Sequence, residues 1–159
     1  MLRVPRETNE DVPIVLHSID WTKEDHPPFF VSMIVNNLYL HNRIYDSGTS
    51  SNVITKKIMD RLNLNITRPY KNVYAMDSRE VEVIGIIFGL KLKLTAYPQI
   101  TFQMDILVID VPDAWGMLLS RKWGAALGGN IHMDISYATI PVSDNAFVKL
   151  HREKKENIT

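Results

Sequence analysis

Short runs of β-branched and aromatic residues, separated by turn residues, are the feature that most restricts what this chain can fold into. The first clear run is 29–35, and the pair Asn36-Asn37 after it predicts a tight hairpin turn before a second strand over 38–44. In 90–94, leucine alternates with lysine, which is typical of a strand with one buried face. Because strands and helices do not alternate regularly, the sequence predicts a mostly β fold.

Two short helices are predicted among the strands. Over 52–62, apolar residues recur at four-residue spacing, and Ser50 or Ser51 precedes them as a candidate N-cap. Ser120 is placed to cap a second helix. That helix should end at the glycine pair 128–129, because glycine tolerates the left-handed backbone of a helix end.

The remaining strands are expected at 13–16, 73–76, 81–84, 100–108, 131–133 and 137–142. The second and third of these flank the polar turn 77–80 and should form a hairpin. A chain of 159 residues accommodates one domain with a substantial core. We therefore expect an N-terminal linker or extension over 1–27, the folded domain over 28–142 and a charged tail over 143–159. The tail pattern is compatible with some helix over 149–156.

A carboxylate stands where the second strand ends. Asp46 follows Tyr45 directly, and Ser47, Gly48 and a run of small hydroxyl residues come next. Glycine permits a tight turn, the serine hydroxyl can hold that turn, and an acid mounted on a strand end is held rigidly. One interpretation is an ordinary strand-ending turn, which the tripeptide alone favours. The other is a carboxylate positioned for chemistry, and the rest of the chain decides between them.

Composition argues against several classes of function. Lys plus Arg and Asp plus Glu both number 18, so the formal net charge is zero, which does not favour nucleic-acid or membrane-surface partners. Without cysteine the chain has no disulfide and no thiolate nucleophile, and its 5 histidines lack metal-ligand spacing. We expect no metal and no cofactor. The polar start does not read as a signal peptide, so we expect a cytoplasmic location.

Four features occur in order along 28–142: a hairpin leading into Asp46-Ser47-Gly48, a second hairpin around 74–83, the apolar pair Leu118-Leu119 before a short helix, and a closing strand near 131–141. Together they resemble a retropepsin, the aspartic protease of retroviruses and LTR retrotransposons. The amino-acid sequences of residues 45–53 and 115–119 are most similar to the protease segment of plant gypsy-type retrotransposon polyproteins.

The resemblance implies a closed acid-protease β-barrel with two short helices and a flap hairpin, acting as a homodimer. Aspartic proteases use two carboxylates about 3 Å apart, which share one proton because both cannot ionise. This chain has a single Asp-Ser-Gly, so the second carboxylate would come from a second copy. The implied activity is that of an aspartic endopeptidase that processes a retrotransposon Gag-Pol polyprotein, in the cytoplasm or within a retrotransposon particle. Its partners would be the second copy and an extended peptide, not nucleic acid or a membrane.

The resemblance also assigns roles to individual residues. Asp46 would be the catalytic residue, with Ser47 and Gly48 supporting its turn. The residues expected to contact the substrate are Thr49, Ser50, Tyr74, Met76, Asp77 and Ser78. The tip of the flap would close over a peptide that adds to the sheet as a strand.

Two departures from the family pattern keep another class of function open. Ser120 stands where the family usually has glycine, which is tolerable if the backbone φ angle there is not positive. Thr49 and Ser50 stand where retroviral members often have alanine and aspartate. One alternative is a catalytically silent module of the same fold that dimerises or binds a peptide. Another is a cellular retropepsin-like enzyme, which differs in its substrate rather than in its chemistry. Two interpretations, subsite wall and plain core, also stay open for four residues: Val53, Tyr74, Ile84 and Leu118.

Overall fold

The computed structural model describes residues 2–6, 14–15, 29–46, 48–76, 79–111, 116–128, 130–131 and 137–153. Within these ranges the chain is mostly β with two short helices, as the sequence predicts. The strands are β1 (Leu2–Arg3), β2 (Ile14–Val15), β3 (Phe29–Val35), β4 (Leu38–Tyr45), β5 (Val53–Thr55), β6 (Arg68–Met76), β7 (Arg79–Leu94), β8 (Thr101–Ile109), β9 (Met117–Leu119), β10 (Asn130–Ile131), β11 (Tyr137–Ser143) and β12 (Ala146–His151). The helices are α1 (Lys56–Arg61) and α2 (Arg121–Leu127). Neither has the length and apolar character needed to cross a membrane.

The strands form two sheets. The larger sheet has the order β1-β8-β5-β9-β4-β3-β7-β6-β2, and β7 also pairs with β8. Because β7 pairs with both β3 and β8, the pairings form a circuit that includes β4, β5 and β9. The smaller sheet has the order β10-β11-β12. The central strands of the larger sheet therefore have neighbours on both edges, which fixes their positions.

The β3–β4 hairpin confirms the first sequence prediction. Asn36 and Asn37 have φ angles of 50° and 61°, and Val35 pairs with Leu38 across the turn. Positive φ at both central residues gives a two-residue turn whose twist matches that of the flanking strands. Asparagine tolerates this backbone better than most residues. The turn therefore sets the register of the pairs next to it, and the register shifts once between Met33 and Val31 before β4 reaches Asp46.

The β6–β7 hairpin is longer than the sequence predicts. β6 and β7 extend well beyond 73–76 and 81–84, and Met76 pairs with Arg79 across the tip. The prediction of a turn over 77–80 is therefore wrong for Arg79 and Glu80, which lie in β7. Their polar side chains do not prevent strand formation, because ladder hydrogen bonds use only the backbone. Residues 77 and 78 lie outside the described part of the chain.

The first predicted helix is partly a strand. Only Lys56–Arg61 is helical, while Val53–Thr55 forms β5 between β8 and β9. The N-cap is Thr55, whose Oγ1 accepts a hydrogen bond from Ile58 N, rather than Ser50 or Ser51. The β-branched run fits a buried strand, and the two neighbouring strands supply its pairing.

The second helix agrees with the prediction. Ser120 is its N-cap, and the Ser120 Oγ accepts a hydrogen bond from Lys122 N at 3.2 Å. The helix ends at Gly128, whose φ of 68° is left-handed. Residue 129 is outside the described residues.

The C-terminal part contains a strand that sequence reasoning missed. Ala146–His151 pairs antiparallel with β11, so the suggestion of helix is wrong for Lys149 to His151. Leu150 is buried and alternates with exposed neighbours, which is the pattern of a half-buried strand. Beyond the strand, Glu153 N donates to Phe30 O at 3.2 Å and ties this segment to β3.

Two hydrophobic clusters stabilise the domain, and β8 contributes to both. Phe102 and Met104 pack in the larger cluster, as the one-faced pattern of 100–108 predicts. Leu107 and Ile109 point to the other side and pack in the smaller cluster. The smaller cluster also contains Ile44, Val53 and Leu118 from the three strands that flank the Asp46 turn. The turn therefore stands on a packed apolar base.

Candidate active site

Asp46 lies at the end of β4, where three strands converge. β4 pairs in parallel with β9, and β9 pairs antiparallel with β5. The backbone N–H of Asp46 donates to Leu119 O in β9 at 2.9 Å. The strand before the turn and the strand after it are thus attached to the same neighbour, which holds the turn rigidly.

The turn also fixes one carboxylate oxygen of Asp46. Gly48 N donates to Asp46 Oδ1 at 2.9 Å, and Thr49 N donates to the Asp46 carbonyl oxygen at 3.0 Å. A side-chain oxygen that accepts from the backbone two residues later forms an Asx turn. The orientation of the carboxylate is therefore set locally, by a backbone donor that cannot move away from it.

The other carboxylate oxygen has a different environment. Asp46 is only 2% exposed, and its Oδ2 has no hydrogen-bond partner among the described residues. A buried polar atom without a partner costs about 1–3 kcal/mol, and more when it is charged. A further hydrogen-bond donor would satisfy this atom.

Aromatic rings form one wall behind the turn. The Tyr45 ring lies 5.3 Å from the Trp123 ring and 6.3 Å from the Phe29 ring, measured between centroids. Burial raises the pKa of Tyr45, and the neighbouring Asp46 charge raises it further. Gly124 permits the close approach of α2, because a Cβ at this position would overlap the Tyr45 hydroxyl. Tyr45 therefore stays neutral beside the carboxylate.

A buried polar pair connects the turn to the start of α2, and sequence reasoning missed one half of it. Asn52 is 0% exposed, and its Oδ1 accepts from Ser120 N at 2.8 Å and from Ser120 Oγ at 2.9 Å. Asn52 O also accepts from Leu107 N at 3.0 Å. The one signal in the sequence is a polar amide placed directly before a β-branched run. Ser120 has a φ of −93°, so it meets the condition for replacing a glycine.

The residues expected to contact the substrate have varied positions. Thr49 is 0% exposed, and its carbonyl oxygen accepts from Arg121 N at 3.1 Å, while Ser50 is half-buried. Tyr74 and Met76 lie in β6, where the structure describes their backbone only. Ser47, Asp77 and Ser78 lie outside the described residues. The roles of all these residues remain predictions.

The candidates for subsite walls divide into two groups. Val53 and Leu118 are both 0% exposed in the smaller apolar cluster, as the plain-core interpretation requires. Ile84 is half-buried.

Arg43 is a buried cation near the turn that the sequence did not suggest. It is 0% exposed, and its Nε donates to His41 O at 2.7 Å. Burial and the charge of Arg61 lower its pKa to about 10, so it is charged at neutral pH. Gly116, with a φ of 80°, lies against its guanidinium, where a Cβ would overlap Nη1. Arg43 thus packs β4 against the residue that precedes β9.

No cluster of three or more histidine or acidic side chains suited to a metal ion occurs in the part of the chain that the structure describes. The hydrogen bonds described for Asp46 all involve backbone groups, namely Gly48 N, Thr49 N and Leu119 O. The site therefore consists of a carboxylate in a hydrogen-bonded frame.

Comparison with known proteins supports the fold but not a closer relation. No family model matches the sequence, and no curated protein matches it. The structure is similar to the retroviral protease-like domain of Ddi1 from Leishmania major, with a TM-score of 0.56 and 18% identity over 79% of this chain and 95% of that one. It is also similar to a retropepsin-like aspartic protease from Rickettsia conorii, with a TM-score of 0.53 and 21% identity over 70% of this chain and 89% of that one.

A third similar structure is EIAV protease in complex with the inhibitor HBY-793. Its TM-score is 0.50 and its identity 19%, over 74% of this chain and all of that one (100%). The special similarity to plant gypsy-type elements stays a prediction. At these identities the likeness establishes architecture, and the chain has the fold of the retropepsin-like aspartic proteases.

Proposed function

We propose that the protein is an aspartic endopeptidase that acts as a homodimer, with Asp46 of each subunit supplying one carboxylate. The observation that carries this proposal is the state of Asp46 itself. One oxygen is fixed by Gly48 N, and the other is buried without a partner among the described residues. A carboxyl group of a second copy is a partner that would satisfy this oxygen by sharing a proton with it.

The rest of the described chain offers no second carboxylate for this role. Asp105 is the other buried acid there, and it already accepts from Arg6 Nη1 at 3.2 Å and from Gly89 N at 3.0 Å. Asp60 and Asp110 are exposed. A two-fold axis next to the turn would place Asp46 opposite its own copy, because an isologous interface pairs each residue with its equivalent.

The chemistry follows from one proton shared by two carboxyl groups. The ionised carboxylate accepts a proton from water while the water oxygen attacks the scissile carbonyl carbon. The protonated partner donates to the carbonyl oxygen, which gives a neutral tetrahedral diol. Collapse of the diol breaks the C–N bond: the protonated carboxyl donates its proton to the leaving amine, and one diol hydroxyl gives its proton to the ionised carboxylate. The dyad therefore ends with the one shared proton that it held at the start. Neither a metal nor a covalent intermediate is required.

The substrate is an extended peptide, and we assign the processing of a retrotransposon polyprotein as the biological role. Ser47 and Gly48 support the paired turns. The peptide contacts Ser50 on one side and the β6–β7 hairpin, which acts as the flap, on the other. The circuit of strand pairings in the larger sheet supports the closed barrel that this arrangement needs.

The test is the substitution Asp46→Asn, which keeps the size of the side chain and removes its acid–base chemistry. We expect peptide cleavage to fall by about 10³-fold or more, with the dimer still folded. Asp60→Asn is a matched control, because Asp60 is an exposed acid whose ion pair with Lys56 is on the helix surface. Equal cleavage rates for Asp46→Asn and the parent, after contaminating proteases are removed, would refute the assignment.

The catalytically silent alternative gains no support from Ser120. The structure accommodates this serine without backbone strain and gives it two hydrogen-bond roles. A silent module would bind an extended peptide and leave it intact. Inhibition of cleavage by a transition-state mimic such as pepstatin separates the two functions.

A further inference from the structure

The outer edge of the β6–β7 hairpin is covered by the chain's own N-terminal part. β2 runs parallel to β6, with Ile14 opposite Tyr74 and Val15 opposite Ala75. On its other edge β6 pairs with β7, at these same two residues. Both edges of β6 are therefore occupied at Tyr74 and Ala75.

This occupancy conflicts with strand addition by a substrate. An extended peptide that joins a sheet needs a strand edge with unpaired N–H and C=O groups. β6 has only two edges, and one belongs permanently to the hairpin. A peptide that pairs with Tyr74 and Ala75 must first displace β2.

β2 also runs in the direction that one half of a bound substrate peptide would have. A peptide lying across a two-fold axis meets two copies of β6, and it runs parallel to one copy and antiparallel to the other. β2 is parallel to β6 and so has the orientation of the part of the peptide that runs parallel to its copy of β6. This step rests on the homodimer of the proposed function.

The pairing of β2 with β6 is short, and the chain on either side of β2 is attached to the domain. Only two residues of β2 pair with β6. β1, on the N-terminal side, is held by β8, where Leu2 pairs with Phe102 and Val4 N donates to Gln103 O at 2.9 Å. On the C-terminal side the chain continues into β3. A short strand tethered at both ends competes at a high effective concentration and can be displaced without leaving the molecule.

We propose that Ile14–Val15 is an autoinhibitory strand, which occupies the peptide-binding edge of β6 until an extended peptide displaces it. The apparent affinity for a peptide is then the intrinsic affinity multiplied by the fraction of molecules in which β2 is displaced. Weakening β2 should therefore tighten peptide binding without any change in the groups that contact the peptide.

The first test weakens β2 in the full chain. Ile14→Pro with Val15→Pro removes both backbone donors, whereas Ile14→Val with Val15→Ile keeps them and preserves the apolar β-branched character. The probe is a fluorescent synthetic peptide with the sequence of residues 10–19, followed by fluorescence polarisation. We expect the proline variant to bind it about tenfold more tightly than the parent and the control variant do. Equal binding by all three proteins, or binding by none, overturns the proposal.

The second test fixes β2 in place, which also covers the case in which the proline variant does not fold. Val15→Cys with Ala75→Cys puts cysteines at partner positions of adjacent strands, in a chain that has no other cysteine. Neighbouring strands are close enough for a disulfide. The oxidised protein should lose probe binding, and reduction should restore it. The matched control is Ser143→Cys with Ala146→Cys, at partner positions of β11 and β12, where oxidation should have no effect on binding.

The opposite results are equally clear. If the 15–75 disulfide fails to form where the control disulfide forms, β2 is not on β6. If the oxidised protein binds the probe as well as the reduced protein does, the peptide uses another edge. Residues 79–82 of β7 offer such an edge, since the described strands that pair with β7 on that side begin at Val83.

These readouts are independent of hydrolysis. If probe binding responds as expected but Asp46→Asn cleaves like the parent, the endopeptidase proposal fails and the autoinhibitory strand stands. If cleavage requires Asp46 but neither the prolines nor the disulfide changes probe binding, the strand proposal fails alone.

Discussion

Replacing Asn52 by alanine should lower the free energy of unfolding by more than the same substitution at an exposed asparagine does. Asn52 Oδ1 accepts two hydrogen bonds from Ser120, one from the backbone and one from the hydroxyl. Both residues are completely buried, so water cannot replace the lost acceptor. Asn52→Ala leaves the Ser120 N–H without its partner and loosens the start of α2.

The magnitude follows from these two bonds. An orphaned buried N–H costs about 1–3 kcal/mol, and a lost hydroxyl bond about 1 kcal/mol. We therefore expect Asn52→Ala to lower the free energy of unfolding by about 2–4 kcal/mol. Ser120→Gly should cost only about 1 kcal/mol, because it keeps the N–H to Asn52 and glycine is itself an acceptable N-cap. The double variant should cost less than the sum, since the two residues share one interaction.

The assay is urea unfolding at a fixed protein concentration, because the stability of a dimer depends on concentration. Asn65→Ala, at an exposed position, is the control and should change the unfolding free energy by less than about 0.5 kcal/mol. If Asn52→Ala is no more destabilising than Asn65→Ala, the buried pair of Asn52 and Ser120 does not hold the Asp46 turn to α2. Strict additivity in the double variant would contradict the shared hydrogen bond.

Two further predictions concern Tyr45. Gly124→Ala places a methyl group against the Tyr45 hydroxyl and should destabilise the protein by about 1–3 kcal/mol in thermal unfolding. The control Ala125→Gly, next to it on α2, should cost about 1 kcal/mol or less in the same experiment. Equal effects of the two substitutions would contradict the close approach of α2 to Tyr45. The pKa of Tyr45 is raised above its ordinary value of 10.0, so folding favours the neutral form of its side chain. The contribution of this neutral side chain to the free energy of unfolding is present below pH 10. It is lost as the pH rises through the pKa of the folded protein. Unfolding measured from pH 8 to 11 should show that the parent loses more stability above about pH 10 than Tyr45→Phe does, and parallel curves would contradict the effect of burial.

The elements that the sequence predicts well depend on local chemistry. β3 and β4 are recognisable because their β-branched and aromatic residues flank an Asn-Asn turn, which sets the register of the pairs next to it. α2 is recognisable because Ser120 and Gly128 are suited to the two ends of a helix. In each case the signal lies within a few residues of the feature.

The elements that were missed depend on contacts between distant parts of the chain. Val53–Thr55 is a strand because β8 and β9 pair with it on both edges, which its own spacing does not show. The acceptor of the Ser120 bonds is Asn52, 68 positions away in the sequence. Lys149–His151 borders a run of mixed charges that is typical of a solvated tail, and the pairing with β11 is what makes β12 a strand.

Some features of the candidate site are also predictable from neighbouring residues, whereas others depend on distant parts of the chain. Asp46 is identifiable from its position between a strand and Gly48, because an Asx turn uses only neighbouring residues. Its burial and its unpartnered oxygen depend on how β5, β9 and α2 pack around it. The strand expected over 13–16 is confirmed at Ile14–Val15, but its pairing with β6 was not predictable, since the partner residues Tyr74 and Ala75 lie far along the chain.

The distance between the Asp46 carboxylates of two subunits, measured in a crystal structure of the protein, tests the central claim most directly. We expect a two-fold dimer in which Asp46 Oδ2 of one subunit lies about 3 Å from the equivalent carboxylate of the other, close enough to share a proton. A monomer, or a dimer that leaves the two Asp46 side chains beyond hydrogen-bond reach of each other, would contradict it.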